Sequence, residues 1–369
     1  MNHKTLAFLP KIFATTILSL ALSSPLLAQD NNIDEYWRYA KLYKNEQGNF
    51  LNLSGRLQGD AAYFNDHNND YGDTLWRRFR FGFKAKYGHI NADLEASLDL
   101  NNGAKYERLT DVNLSWLLDK DMKLTVLKHS AGFTLDGRTS SKKLLTPQRN
   151  NLTNNLWFTA EYFTGVSIKG ELDDNLSYKS GVFSSDDSNE IGITGASYFA
   201  LFSLTANYNE TPLWQKAQVT LDYVYNDVDE QGNTRDFSHV VSLSSKLNFG
   251  NWHLWNDASY GQGDLEQSDL WGLVVMPYYQ QTKEIQWVMR YTYLDSQHLN
   301  GIRLGRYENQ NIAGKGDNYR EIYAGMNYLI NQHKLKVHLG AQYTQMKDTA
   351  NDGGKYNGWG VTLALRSYW

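Results

Sequence analysis

The sequence predicts an all-β protein, a transmembrane antiparallel β-barrel of about sixteen strands with a long third loop that folds inward. Three observations support this fold class. Long segments alternate between apolar and polar residues with period two, the spacing of side chains on the two faces of a strand. Short and long connections alternate along the chain, as they do in outer-membrane barrels. After residue 28, no apolar run approaches the roughly 18 residues that a spanning helix needs.

The first 28 residues have the composition of a secretory signal peptide. Lys4 and Lys11 make the start basic, residues 12–22 form an apolar stretch, and Ala28 ends a small-residue cleavage site. We therefore expect residues 1–28 to be removed on export to the bacterial outer membrane. Residues 29–49 are expected to form a periplasmic segment, and residues 50–369 the barrel domain.

The composition narrows the possible partners. Cysteine is absent, whereas the chain contains 25 Tyr and 11 Trp, which suits the aromatic girdles that face outer-membrane lipid. The formal net charge is −4 and becomes −6 once Lys4 and Lys11 are removed, which argues against a nucleic-acid partner. The nine histidines show no metal-ligand spacing, so we predict no metal and no other cofactor.

One hairpin, residues 76–100, shows the alternation most clearly. One face of its first arm is basic, with Arg78, Arg80, Lys84 and Lys86. The other face is apolar, with Phe79, Phe81, Phe83, Ala85 and Tyr87. The second arm has a polar, acidic face with Asn91, Asp93, Glu95, Ser97 and Asp99. A membrane barrel would direct the apolar faces to lipid and the charged faces into a wet lumen, whereas a soluble sandwich would bury the apolar faces.

The turn of this hairpin predicts how the two charged faces meet. A turn at Gly88-His89 places Lys84 opposite Asp93 and Arg78 opposite Asp99. Opposite charges at such positions interact directly. We therefore expect the acidic arm to neutralise part of the basic column, which leaves the ion selectivity of the lumen open.

Sixteen alternating segments are predicted as strands. They are residues 50–64, 76–87, 90–100, 107–117, 122–128, 164–171, 175–184, 197–207, 217–226, 238–249, 252–260, 270–280, 285–296, 320–330, 334–343 and 358–369. The longer connections are expected at residues 65–75, 129–163, 185–196, 227–237, 297–319 and 345–357. The last segment is amphipathic and could pair with the first, which would leave no open edge in lipid.

The connection over residues 129–163 is the candidate for narrowing the pore. It is much longer than an ordinary hairpin loop, and loops of this length tend to be functional or disordered. Its cations outnumber its acids: Arg138, Lys142, Lys143 and Arg149 stand against Asp136 and Glu161. Folded inward, it would place hydroxyl groups and cations in the lumen; a solvated surface loop is the alternative.

Three short motifs resemble the phosphate-selective porin O/P family. They are Arg56-Leu57-Gln58, Trp76-Arg77-Arg78-Phe79-Arg80 and Thr139-Ser140-Ser141-Lys142. The resemblance implies a trimeric, sixteen-stranded outer-membrane channel for phosphate or polyphosphate. It implies that Arg78 and Arg80 are rungs of a cation ladder and that Ser140, Ser141 and Lys142 lie near the constriction. It also suggests that Asp111 is the lumen aspartate that positions such a lysine.

These patterns predict a porin for passive diffusion of small hydrophilic solutes, with phosphate-like anions as the leading candidates. Columns of Arg and Lys make anion pores, because they replace the water that an oxyanion loses. The candidate pore residues are Arg78, Arg80, Lys84, Lys86, Asp111, Arg138, Ser140, Ser141, Lys142 and Lys143. The alternatives are a weakly selective general porin and a plugged structural or adhesive barrel. No nucleophile stands out, so we predict neither catalytic residues nor enzyme activity.

Overall fold

The computed structural model describes residues 37–119, 122–156, 161–186, 188–209 and 214–369. The predicted signal peptide, residues 1–28, lies outside the described residues, as does the start of the predicted periplasmic segment up to residue 36. Among the described residues, no helix is both long enough and apolar enough to cross a membrane.

The described elements are nearly all strands. The first ten are β1 (Lys41–Lys44), β2 (Phe50–Asp66), β3 (Asn69–Tyr87), β4 (Ile90–Asp99), β5 (Lys105–Asp119), β6 (Met122–Ser130), β7 (Tyr162–Glu171), β8 (Leu176–Ser184), β9 (Tyr198–Asn209) and β10 (Lys216–Asn226). The others are β11 (Phe237–Phe249), β12 (Trp252–Gly263), β13 (Leu270–Gln280), β14 (Ile285–Ser296), β15 (Ile302–Arg303), β16 (Lys315–Gly316), β17 (Asn318–His333), β18 (Leu335–Lys347) and β19 (Tyr356–Tyr368). The short helices are α1 (Leu135–Arg138), α2 (Asn151–Leu156) and α3 (Glu308–Asn311).

Sixteen of the described strands, β2 to β14 and β17 to β19, form a closed antiparallel barrel. Closure is made by β19 and β2, whose pairing runs from Gly358 opposite Asp66 to Tyr368 opposite Arg56. The fold class and the strand number predicted from the period-two pattern are therefore confirmed. The short strand β1 lies outside this ring and pairs with the start of β2.

The two faces of the strands lie where the alternation places them. Phe81 and Leu94 are 40% and 49% exposed on the outside, whereas Arg80 and Glu95 on the inside are each 3% exposed. A charged interior and an apolar exterior are what a barrel needs when lipid surrounds it and water fills it. Apolar side chains thus cover the outside of the barrel, and a separate apolar cluster that includes Phe183, Phe199 and Val224 is buried inside it.

Tight turns join the strands at one end of the barrel. The two-residue connections at residues 88–89 and 250–251 each begin with a glycine, and Gly88 and Gly250 have φ of +56° and +63°. A side chain is strained in this region of backbone conformation, so glycine favours such two-residue turns. We call this end of the barrel the turn end, and the opposite end, with the long connections, the loop end.

One predicted long connection is wrong. Residues 65–75 were expected to form a loop, but β2 continues to Asp66 and β3 begins at Asn69. The extended hairpin pairs Tyr63 with Gly72 and Phe64 with Tyr71. Much of this part of the hairpin is polar and small, so the sequence shows too little contrast between the faces for a period-two pattern.

Candidate pore constriction and vestibule

The segment between β6 and β7, residues 131–161, is called the inward loop; its described residues, 131–156 and 161, fold into the lumen. Phe133, Leu135 and Leu152 in this loop are completely buried, and they join a hydrophobic cluster with the inner side of the barrel. Apolar packing therefore helps to hold the loop inside. The inward fold of the third long connection is confirmed.

Acidic side chains of the wall hold the first part of the inward loop. Asp222 of β10 accepts hydrogen bonds from Arg138 Nη1 at 2.8 Å and from the backbone N–H of Thr134 at 2.9 Å. Asp257 of β12 accepts one from the N–H of Leu135 at 2.8 Å. Arg138 was predicted as a pore cation, and the structure places it in this anchor.

Cations of the wall hold the middle of the inward loop. Lys336 of β18 donates to the carbonyl oxygen of Leu144 at 2.7 Å, and Arg366 of β19 donates to that of Pro147 at 2.9 Å. Arg366 also forms an ion pair of 2.5 Å with Asp60 of β2. Because Lys336 and Arg366 are buried in contacts with the loop, they anchor the loop and are not water-exposed rungs of a cation ladder.

Between the inward loop and strands β2 to β4 lies a compact ionic cluster. Arg56 donates to Ser141 Oγ at 2.8 Å and to Glu95 Oε1 at 3.1 Å. Arg80 lies 3.6 Å from Glu95 and 3.6 Å from Glu161. Arg80, which the family resemblance implies is a rung of a cation ladder, is buried: two carboxylates contact it, and its guanidinium carbon lies 4.8 Å from the centre of the Tyr162 ring.

Glu161, near the end of the inward loop, completes this constriction cluster. Its carboxylate lies 3.3 Å from Arg149 Nη2. Burial opposes its ionisation, but Arg149 and then Arg80 outweigh burial and hold the pKa of Glu161 well below its usual range. The cluster thus contains three arginines, Arg56, Arg80 and Arg149. They face two ionised carboxylates, those of Glu95 and Glu161, which leaves the cluster with one excess positive charge.

On the loop-end side of this cluster lies a cavity of about 540 Å³, which we call the vestibule. Of the described residues that line it, nine are cationic and four are acidic. The cations are Arg77, Arg78, Arg80, Arg108, Lys128, Arg149, Arg235, Arg303 and Arg306; the acids are Asp99, Glu107, Glu161 and Asp186. The lining is strongly basic although the whole chain is acidic.

A β-bulge explains why two consecutive arginines reach the same cavity. Arg78 pairs with Gln58 across β2 and β3, but Gly59 then pairs with Trp76, so Arg77 is an extra residue. A bulge redirects a side chain relative to strict alternation. Period two places Arg77 on the lipid face, and for that reason the sequence did not identify it as a pore residue.

The structure corrects one expected contact of the basic column. The pairing of β3 with β4 stops at Phe79 opposite Leu98, and Arg78 donates instead to Gln58 Oε1 on β2 at 3.0 Å. Asp99 accepts hydrogen bonds from the backbone N–H of Asn101 at 2.9 Å and from its own loop neighbours. Arg78 thus faces the vestibule without the acidic neighbour that the turn geometry suggested.

At the turn end, a second cavity of about 860 Å³ lies below the constriction. Lys84 and Lys142 both line it, and Lys84 makes the expected contact with Asp93, at 3.5 Å. Lys142 Nζ lies 5.1 Å from the centre of the Tyr368 ring. Burial, followed by the charge of Arg56, lowers the pKa of Lys142 to about 8.

The other predicted site residues are spread over the turn-end half of the lumen. Ser141 is buried beside Arg56, whereas Ser140 and Lys143 are exposed. Lys86 is half-buried near the turn end, opposite Asn91. Asp111 accepts a hydrogen bond from Asn113 at 3.5 Å and lies close enough to Lys142 to favour its charged form. The positioning of Lys142 by Asp111 stays a prediction.

Sequence reasoning missed several vestibule arginines for a common reason. Arg235 and Arg306 lie in two long connections, and Arg303 lies in the two-residue strand β15 within one of them, so no strand period assigns them to a face. The loop that carries two of them folds inward as well, because Tyr307 donates to Asp60 Oδ2 at 2.5 Å and packs on Phe64. The connection over residues 297–319 has three cations against two acids, which is a weak signal for Arg303 and Arg306; residues 227–237 have one arginine against four acids and give no signal for Arg235.

Comparisons with known proteins agree with this architecture. A search of the curated proteins gave no match. Similar solved structures include an anion-selective porin from Comamonas acidovorans, with TM-score 0.59, 13% identity and coverage of 87% of this chain and 100% of that one. They also include OmpF of Salmonella typhi in complex with daunomycin, with TM-score 0.62, 13% identity and coverage of 89% and 100%. The channel DcaP of Acinetobacter baumannii has TM-score 0.55, 14% identity and coverage of 89% and 99%.

Identities this low establish the shared fold, whereas the family follows from the sequence itself. The family model described as phosphate-selective porin O and P matches residues 51–268, which is more than half of the chain. The matched segment includes the constriction cluster, the bulge and the whole inward loop. The chain therefore belongs to the phosphate-selective porin O and P family, and it is an outer-membrane channel for passive diffusion.

Proposed function

We propose that this porin admits small anions, with phosphate-like oxyanions as the leading solutes. The basic vestibule is the observation that carries the proposal, because its described lining has nine cations and four acids. Guanidinium groups replace the hydration shell of an oxyanion with fixed donors. The description of the matching family supports the same class of solute.

The route that we propose has three zones. An anion collects in the vestibule beside Arg77 and Arg78, passes the constriction cluster, and leaves past Lys142 and Lys84 at the turn end. Several weak sites in a row let an ion move onward, whereas one tight site would hold it. The long connections would face the cell exterior, as they do in this class of barrel.

A weakly selective porin is the second candidate, because acids neutralise much of the constriction. Glu95 contacts Arg56 and Arg80, and Glu161 contacts Arg80 and Arg149. In this case the vestibule would concentrate anions while the narrowest zone discriminated little. A plugged barrel that binds a partner through its external loops would conduct no ions.

The test is the reversal potential of single channels in a planar bilayer under a KCl gradient, before and after phosphate is added. We expect an anion-directed potential and block of the chloride current by phosphate. In the double variant Arg77→Ala/Arg78→Ala, the potential should move towards the cation side. Two charges at close range change the free energy of a passing ion by about 1–2 kcal/mol, so the permeability ratio should fall several-fold.

The matched control is Arg320→Ala, which removes one arginine from β17 outside the lumen, where Arg320 lies 5.7 Å from the ring of Tyr293. This control should keep the wild-type potential. A cation-directed wild-type potential would overturn the proposal in favour of the weakly selective porin. Closed channels under all conditions would favour the plugged barrel.

Two further features are proposed with this function. Residues 1–28 would be cleaved on export, which N-terminal sequencing of the outer-membrane protein tests directly: an intact Met1 would contradict it. We also propose a homotrimer, on the family resemblance; native mass measurement in detergent should give three times the mass of the mature chain, and a monomeric mass would overturn it.

A further inference from the structure

The vestibule contains a second chemistry besides charge. Eight of its described lining residues carry side-chain amides: Asn101, Gln148, Asn151, Asn154, Asn155, Asn189, Asn233 and Asn309. An anion needs donors, but an amide offers an acceptor as well as a donor. A cavity that served only as a funnel for a bare inorganic ion would gain little from acceptors.

One of these acceptors is buried and unused. Asn151, at the start of α2, is 2% exposed, and its Nδ2 donates to the carbonyl oxygen of Arg303 at 2.8 Å. This bond fixes the amide and leaves Oδ1 without a hydrogen-bond partner among the described residues. An unpaired buried acceptor destabilises the structure, and a donor on a bound solute would offset that cost. The position calls for a hydroxyl or an N–H group.

Unused donors line the same cavity. Arg77 Nε and Arg235 Nε are buried atoms without hydrogen-bond partners among the described residues. Arg235 and Arg303 also lie close enough to influence each other, and burial followed by the charge of Arg303 lowers the pKa of Arg235 to about 10. Asp236 favours the charged form of both, so one positive charge of the pair remains in excess and favours a bound anion. The walls of the vestibule thus contain two donors and one acceptor that have no hydrogen-bond partner among the described residues.

The volume of the vestibule decides between small and larger solutes. Its volume of about 540 Å³ is far more space than a five-atom oxyanion fills. Cavities of about 300–1,000 Å³ are the size that holds organic ligands. The space beside the arginines is therefore available to a hydroxylated carbon chain attached to the acid group.

We infer that the vestibule is a binding site for a polyhydroxylated organic anion, such as a phosphorylated sugar, in preference to inorganic phosphate. This inference rests on the proposed anion channel and names its solute class. The acid group binds at the vestibule arginines, and a hydroxyl of the chain donates to Asn151 Oδ1. The solute leaves towards the constriction when its acid group moves from Arg77 and Arg78 to the arginines of the constriction cluster.

The experiment compares block of the chloride current by glucose 6-phosphate, inorganic phosphate and glucose in the wild-type channel at pH 8. Both phosphates are then mainly dianions, so their difference reports the carbon chain. We expect glucose 6-phosphate to reach half-block at a concentration at least tenfold lower than phosphate. Neutral glucose should not block at these concentrations.

The variant Asn151→Ala should lower the concentration ratio between the two phosphates at least threefold. The control Gln345→Ala also removes a side-chain amide, but one on the outer face of β18, where Nε2 donates to the hydroxyl of Tyr343 at 3.1 Å. That control should keep the ratio. Because the ratio is measured within one channel, a change in the amount of folded protein does not affect it.

Three results would overturn the inference. They are equal block by both phosphates, an equal loss of the ratio in both variants, and block by glucose at the same concentration as its phosphate. In each of these cases an anion-directed reversal potential would leave the proposed function intact. A cation-directed potential would instead contradict the anion channel itself.

Discussion

The two halves of the lumen contain the same kinds of charged side chains and use them differently. In the half formed by β10 to β19, cations meet acids at close range, as Arg138 meets Asp222 at 2.8 Å and Arg290 meets Glu321 at 2.8 Å. In the half formed by β2 to β6, Glu95 pairs with Arg56 and Arg80, but the vestibule beyond them, where Arg77 and Arg78 lie, has nine cations against four acids. The comparison teaches that the presence of a local acid decides whether a lumen arginine anchors the inward loop or attracts a solute.

The anchoring half should respond most strongly to mutation. In Asp222→Ala, Arg138 loses its carboxylate and the N–H of Thr134 loses its acceptor. Removing one partner of a buried ion pair typically costs about 3–5 kcal/mol. We expect a lower unfolding temperature, measured by the change in gel mobility on heating. We also expect a larger single-channel conductance, because the inward loop is released.

The double variant Arg138→Ala/Asp222→Ala is the control, since it leaves no unpaired charge. It should recover part of the lost stability while the conductance stays high. Wild-type conductance in the single variant would mean that apolar packing alone holds the loop, and the division into two halves would lose its basis.

The constriction cluster should show a smaller effect that changes selectivity. Glu161→Gln removes one of the two carboxylates that face Arg80 and Arg149. One unit charge at close range changes the free energy of an ion by at least about 1 kcal/mol, or roughly fivefold in permeability ratio. We expect the reversal potential to move towards the anion side. A move towards the cation side would mean that the variant has rearranged the arginines.

Much of this difference between the two halves of the lumen could not be predicted from the sequence. Period two identifies the strands and their lumen faces because it is a local property, and it placed Arg80 and Glu95 correctly inside the barrel. It cannot identify contacts such as that of Arg80 with Glu161, which lies in a loop 81 positions away, because only the folded loop brings them together. It also fails at Arg77, where one extra residue changes the face.

The turn end should give a modest pH dependence. The pKa of Lys142 is lowered to about 8, so this side chain is charged below pH 8 and becomes neutral above it. Anion preference in KCl should therefore fall as the pH rises from 7 to 9. The variant Lys142→Arg keeps its positive charge over this pH range, so its anion preference should not change with pH. A pH profile like that of the wild type would mean that another group causes the change.

The smallest effect is expected at Lys84. Its contact with Asp93 is long, at 3.5 Å, and the Lys84 side chain is 48% exposed. Exposed ion pairs typically contribute about 0.2–1 kcal/mol. Lys84→Ala should leave the unfolding temperature within error and move the reversal potential slightly towards cations, because Asp93 is left alone. Lys84→Ala/Asp93→Ala should restore the potential; a large shift in either variant would place the filter at the turn end.

The closure of the barrel by β19 and β2 has a consequence for the order of assembly. The strand that pairs with the start of the barrel is separated from it by almost the whole chain, since Tyr368 lies opposite Arg56. The edge of β2 must therefore wait while every other strand is synthesised and exported. Until β19 is in place, the backbone donors and acceptors along this edge of β2 have no partner there. They cannot enter hydrocarbon without a large cost in free energy. An incomplete ring therefore cannot stand alone in lipid, and its open edges need another partner until the last pairing forms.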